Sequence, residues 1–153
     1  MPIGTRTFVA TFTLGVLLLG ACSSKSEPQS GSSPEKTSIA VAVQEWAVLP
    51  AQASAAAGTV TFTVKNTGPA YKHEFVVMKT TLAPDKLPTK ADGSINEEDP
   101  ALTAVDEIGD IPLGSTQSKA FTLTAGSYVL FCNIVENNLV HYKLGMRVGF
   151  TVA

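Results

Sequence analysis

Alternation is what most limits the folds open to this chain. In Ile39-Ala-Val-Ala-Val43, in Thr59-Val-Thr-Phe-Thr-Val-Lys-Asn66 and in Phe121-Thr-Leu123, apolar side chains recur at every second position. A period of two belongs to strands with one face buried, and the β-branched residues in these runs suit a pleated surface. Turn residues punctuate them at Asn66-Thr-Gly-Pro69, Gly114-Ser115 and Ala125-Gly126-Ser127, so the strands are short and fold back on one another. Glu74-Phe-Val-Val-Met78 is a continuous apolar run; it suits a strand in the centre of a sandwich or a short buried helix, which periodicity alone does not separate. The fold class is therefore all-β, a sandwich of mostly antiparallel strands.

Three regions differ in composition. Residues 1–21 carry one base, Arg6, followed by the uncharged run Phe8–Gly20, which is short for a membrane span and reads as an export signal. The run ends Leu19-Gly20-Ala21-Cys22, which resembles the bacterial lipobox and implies cleavage before Cys22 and lipidation of its sulfur. Residues 22–38 hold Cys22 and a Ser/Pro-rich stretch with almost no apolar side chain. Such a segment cannot offset its ordering entropy by burial, so it is expected to be a flexible tether with a reach of roughly 20–25 Å. Residues 39–153 are long enough for one core and show no internal repeat. Within them, Leu82–Ile108 contains Pro84, Pro88 and Pro100, and Asp92–Asp110 contains seven acids and no base. This stretch is expected to be a long surface excursion with one helical turn, its acids either a solvated face or a docking surface for a basic partner.

Without residues 1–21 the chain keeps ten bases against thirteen acids, about −3. With no basic patch to displace counterions, nucleic acid is not expected as a partner. Cys132 is the one cysteine besides Cys22, so an internal disulfide is not available to an exported domain that would otherwise permit one. A lone thiol is either buried and inert or a metal ligand.

The neighbourhood of Cys132 bears on that choice. The run Tyr128-Val-Leu-Phe-Cys-Asn-Ile-Val-Glu-Asn-Asn-Leu-Val-His-Tyr-Lys-Leu-Gly-Met146 contains Cys132, His141 and Met146, and His73 is the other histidine of the chain. Tyr128, Leu130 and Cys132 share one strand face; Met146, Val148, Phe150 and Val152 share a face of the next. Cys132 would close one strand, Met146 open the other, and His141 lie between them, while His73 opens a further strand. One thiolate, two imidazoles and one thioether are the donor set of a trigonal copper site with a weak axial Met. Phe131, Ile134 and Leu144 are the expected apolar surround, and Leu139 and Val140 either form an exposed patch or pack on the domain.

The strings Asn66-Thr-Gly-Pro-Ala-Tyr-Lys-His-Glu-Phe-Val76, Gly126-Ser-Tyr-Val-Leu-Phe-Cys-Asn133 and His141-Tyr-Lys-Leu-Gly-Met146 together resemble the cupredoxins, the blue copper family. The resemblance covers residues 39–153. It implies a Greek-key β-sandwich and one type 1 copper held by His73, Cys132 and His141 with Met146 axial. Two positions depart from the family pattern. Eight residues, Asn133–Val140, separate Cys132 from His141 where the family has a few, and Glu74 stands where many members have an Asn that ties two ligand loops together.

The implied function is a one-electron carrier, exported and anchored at the cell envelope, monomeric, meeting redox proteins at the membrane, with His141 as the edge where electrons leave. With no open coordination position it is not expected to be an enzyme. A copper-handling module, storing or delivering the metal through the same ligands, is the alternative, and a mobile Cys132–His141 loop would suit it.

Overall fold

The computed structural model describes residues 37–153. Cys22, the export signal and the tether up to residue 36 lie outside them. Eleven strands and one short helix follow in order: β1 Thr37–Gln44, β2 Ala47–Pro50, β3 Ser54–Ala55, β4 Gly58–Asn66, β5 His73–Lys79, β6 Thr103–Ile111, β7 Thr116–Leu123, β8 Gly126–Phe131, β9 Val135–Glu136, β10 Leu139–Val140, α1 His141–Leu144 and β11 Arg147–Val152. The first strand begins two residues before the expected start of the domain at Ile39.

Two sheets face each other. One has the order β2-β1-β4-β7 and the other β3-β11-β8-β5-β6, each mixing parallel and antiparallel pairs. The alternating residues fill the space between them: Ile39, Val41, Val43, Val60, Phe62, Val64, Phe121 and Leu123 from the first sheet meet Phe75, Val77, Tyr128, Leu130 and Phe150 from the second. Phe62 sits at the centre, with Phe75, Phe121 and Phe150 ring centroids 5.1, 5.5 and 5.6 Å away. Each such side chain taken from water stabilises the sandwich by roughly 1.5–3 kcal/mol.

Strand β5 is the continuous run Glu74–Met78, and its neighbours explain why alternation fails there. Phe75 and Val77 point into the inter-sheet core, while Val76 and Met78 point outward into a second cluster with Leu87, Ile95, Leu102, Val129, Phe131 and Tyr142. A strand covered on both faces has no polar side. The cover is the segment between β5 and β6. It contains no helical turn, contrary to expectation, and its last part, from Thr103, is strand β6. Its apolar residues Leu87, Ile95 and Leu102 lie on the outer face of the five-stranded sheet, and its acids stay outward.

The stretch between Cys132 and His141 is a folded hairpin. Leu139 pairs with Glu136 and Val140 with Val135. The two linking residues, Asn137 and Asn138, take φ of 49° and 63°, the left-handed pair that a two-residue turn of type I′ requires and that Asn tolerates. The His141 N–H donates to the Ile134 carbonyl at 3.0 Å and closes it. Leu139 and Val140 are half-buried, so they pack on the domain more than they form an exposed patch.

Candidate metal centre

Three of the four expected ligands form one cluster. Donor atoms of His73, Cys132 and His141 all lie within 4.8 Å of one another, and all three residues are wholly buried. Each arrives by a different route. His73 opens β5, its position set from the loop before it by Asn66: the buried Asn66 amide donates to the Tyr71 and Ile111 carbonyls at 2.9 and 3.0 Å, and its Oδ1 accepts from the Gly68 N–H at 3.0 Å. Cys132 follows the last residue of β8 on the inward face. His141 is the first residue of α1, delivered by the β9–β10 hairpin.

Met146 is buried at the same end, immediately before β11. Its carbonyl accepts from the Cys132 N–H at 3.1 Å and its N–H donates to the His141 carbonyl at 3.1 Å, so its backbone is tied to both residues. Gly145 makes this return possible: its φ is +130°, and a Cβ there would lie 2.8 Å from the Trp46 carbonyl oxygen, so a side chain is excluded by conformation and by space.

The donor spacing fits a shared ion. His73 Nδ1 lies 3.3 Å from His141 Nδ1, which lies 3.4 Å from Cys132 Sγ. Ligand atoms held about 2.0–2.3 Å from one cation at trigonal to tetrahedral angles are roughly 3.3–3.8 Å apart. Soft sulfur beside two imidazoles suits copper or zinc over hard, oxygen-preferring cations. Burial keeps the metal-free groups neutral: it pushes the Cys132 thiol up to about 12, against the lowering effect of the Glu74 and Ile134 N–H groups, and pushes His73 down to about 4, helped by the neighbouring His141. His141 is lowered too, again by burial. A cation is what would draw the thiolate out of such a site.

Glu74 ties the start of β5 to Cys132 and to the residue after it. Its backbone N–H donates to Cys132 Sγ at 3.4 Å, and its carboxylate accepts from the Asn133 N–H at 2.7 Å. Burial raises its carboxyl to about 7. Asn133 in turn donates to the Ile95 carbonyl and to Glu97 at 3.2 and 2.7 Å, and its Oδ1 accepts from the Ile95 N–H, which fastens the excursion to the residue after Cys132. The residue after His141 does the same. The Tyr142 hydroxyl donates to the Pro84 carbonyl at 2.7 Å and accepts from the Leu87 N–H at 3.1 Å.

Three expectations about the surround change. Phe131 points to the outer cluster, because it lies one residue out of phase with Cys132, and Leu144 is 42% exposed on the outside of α1. Ile134 alone of the three packs at the inter-sheet core. His141 presents no exposed edge. Its ring is covered by Trp46 and Tyr71, with centroids 4.9 and 5.9 Å away. Those two residues and Glu45 were not singled out from the sequence. The available signal was Glu45-Trp46, an acid beside the chain's one tryptophan where the alternation of residues 39–49 breaks. The segment is the turn between β1 and β2.

A two-sheet sandwich with a buried His–Cys–His cluster at one end defines the cupredoxin class, and this chain is one by fold, with a cluster that fits a type 1 copper site. Among similar solved structures are dithionite-reduced auracyanin from the photosynthetic bacterium Roseiflexus castenholzii, 25% identical over 80% of this chain and 99% of that one with a TM-score of 0.51, and auracyanin A, a "blue" copper protein from the green thermophilic photosynthetic bacterium Chloroflexus aurantiacus, 19% identical over 78% and 100% with a TM-score of 0.53. Rusticyanin from Thiobacillus ferrooxidans is 22% identical over 79% of each chain, also at 0.53. No family model matches the chain, and neither does any curated protein sequence.

Proposed function

We propose that this protein is a type 1 copper electron carrier anchored at the cell envelope through a lipid on Cys22. The observation that carries the reading is the convergence of His73 Nδ1, His141 Nδ1 and Cys132 Sγ in a site from which water is excluded. Copper held there would supply a one-electron couple, with the thiolate favouring Cu(I) and the imidazoles serving both oxidation states. The chain's part is to resist rearrangement between them. Asn66 holds the His73 loop, Glu74 clips β5 to the residue after Cys132, and the closed β9–β10 hairpin carries His141. Met146 would be the fourth donor, its backbone tied to both Cys132 and His141.

Trp46 and Tyr71 pack against the buried His141 ring and are themselves half-buried, so they, not the ring itself, are the proposed contact for redox proteins at the membrane. The acids of Asp92–Asp110 are a candidate docking face for a basic partner. Among the described residues no helix is long and apolar enough to cross a membrane, and attachment is assigned to the acyl chains on Cys22. We read the protein as a monomer that binds no nucleic acid.

The test is the spectrum of the purified protein with Cu(II). An intense visible thiolate-to-copper band is expected, and a colourless complex ends the electron-carrier reading. Copper delivery through the same ligands was argued from a mobile loop; the hydrogen-bonded hairpin and the buried His141 ring weigh against it. A carrier keeps its copper through repeated reduction, whereas a delivery protein loses Cu(I) to a competing chelator. Mass spectrometry of the exported protein, showing acyl chains on an N-terminal Cys22, tests the anchor.

A further inference from the structure

Four buried side-chain atoms among the described residues lack a hydrogen-bond partner: Glu45 Oε2, His73 Nε2, Glu136 Oε1 and His141 Nε2. They belong to two facing pairs. His73 Nε2 lies 3.6 Å from Glu45 Oε1, and His141 Nε2 lies 3.5 Å from Glu136 Oε1. The carboxylates come from unrelated parts of the chain, the β1–β2 turn and strand β9, yet each addresses the outer nitrogen of one imidazole, on the side away from the cluster. Glu45 is placed by backbone, its Oε1 accepting from the Tyr71 and Ala70 N–H groups at 2.7 and 3.3 Å. Glu136 is placed by its pairing with Leu139 across the hairpin.

A neutral imidazole has one N–H and one lone pair. Were the hydrogen of either ring on Nδ1, the Nε2 lone pair would face a carboxylate oxygen in a buried place, acceptor against acceptor. With both hydrogens on Nε2, each carboxylate faces an N–H across 3.5–3.6 Å, a favourable electrostatic contact longer than a hydrogen bond. Both Nδ1 lone pairs then turn on one another at 3.3 Å and on the sulfur, a juxtaposition that a cation relieves. We propose that Glu45 and Glu136 are positioning residues for the two histidines: facing Nε2, they favour its protonated form electrostatically, hold both rings in the tautomer that offers Nδ1 to the metal, and by their charge favour its more positive oxidation state. This rests on the copper reading of the site. The physical basis is that a carboxylate behind a ligating imidazole fixes the ring and raises its basicity, and that its attraction grows with the charge it faces.

Two measurements decide it. Long-range nitrogen–proton correlation on the full, metal-free chain reads the tautomers directly: Nε2–H is expected in both rings, and Nδ1–H in either overturns the proposal. Redox titration of copper-loaded Glu136→Gln and Glu45→Gln reads the charge. Glutamine keeps the size and an acceptor oxygen, so the visible band is expected to survive while the preference for Cu(II) over Cu(I) falls about tenfold for each substitution, a rise of about 59 mV in potential for a one-electron couple. An unchanged potential in Glu136→Gln with the band retained overturns the proposal. That variant decides alone if Glu45→Gln fails to fold, because the Glu136 side chain is 27% exposed and holds no backbone in place. Should the unmodified protein form no intense band, the electron-carrier reading fails by itself, and the tautomers of the metal-free chain still decide the roles of Glu45 and Glu136.

Discussion

His73 and His141 reach the same point by opposite means. His73 is part of a nine-element framework: it begins a central strand, pairs with Ile111 across the sheet, and is preceded by a loop that the buried Asn66 amide holds. His141 is carried in by a two-strand hairpin of four paired residues, whose turn depends on two asparagines with positive φ. Both rings are nonetheless wholly buried, and each has one carboxylate behind it. The sandwich therefore supplies rigidity to one half of the site, while the other half borrows it from local turn chemistry, from the Trp46 ring and from the Tyr142 anchor on the excursion. The two halves meet at Cys132, whose sulfur accepts from the Glu74 N–H on one side and lies 3.4 Å from His141 Nδ1 on the other.

The largest expected effect comes at that meeting point. Cys132→Ser should abolish the intense visible band and leave the fold intact, because the hydroxyl is small enough for the pocket but is not a soft thiolate donor; far-ultraviolet circular dichroism and the copper spectrum read the two outcomes separately. Met146→Leu should keep the band and move the reduction potential. An unmoved potential would remove Met146 from the proposed ligand set.

Acid should next unfold the metal-free chain. His73 and His141 are held neutral below their ordinary range, so the unfolded chain binds more protons than the folded one as pH falls from about 6.5 toward about 4, and stability falls with it. Glu74 opposes this: with its carboxyl raised to about 7 it is protonated in the folded chain first, a contribution that is complete below about 4.5 and lost as pH rises through 7. Urea midpoints measured across that window should therefore rise with pH, and more steeply in Glu74→Gln. Copper should extend the histidine dependence to lower pH, because rings held by the metal take up no proton while those of the unfolded chain still do.

Two smaller substitutions separate the halves. Asn66→Ala leaves the Tyr71 and Ile111 carbonyls and the Gly68 N–H without their partner, at about 1–3 kcal/mol for a buried group, and the loss should appear in global unfolding. Asn138→Val puts a β-branched residue at φ 63°, at about 1–2 kcal/mol. Hydrogen exchange should show that cost mainly in Val135–Val140 and in faster copper loss, with the unfolding midpoint little changed. If both variants lower the midpoint equally, the hairpin is not a separable half.

How much of this could be read beforehand follows the same division. The strand-borne part was legible because period two survives translation into structure: Ile39, Val41, Val43, Val60, Phe62, Val64, Phe121 and Leu123 are core residues, and Cys132 lies in phase with Tyr128 and Leu130. Phe131 and Leu144 were misplaced for want of phase and depth. A residue beside a ligand in sequence points the other way on a strand, and on a single helical turn it faces solvent. The eight residues between Cys132 and His141 exceed the few of the family pattern; Asn137-Asn138 is the turn signal that gives them a shape. Glu74 departs from the family pattern, yet its carboxylate accepts from the Asn133 N–H.

From residue types and spacing alone came the all-β class, the donor set and the strands that would carry it, since periodicity and ligand chemistry are properties of short stretches of chain. Only the folded molecule brought Glu45 and Trp46 to histidines 28 and 95 positions away, buried His141 beneath an aromatic cover, and set a carboxylate behind each ring. Apart from Glu136, which sits in the hairpin that leads into His141, those contacts join segments far apart in sequence, and what decides them is how two twisted sheets close and where their turns land.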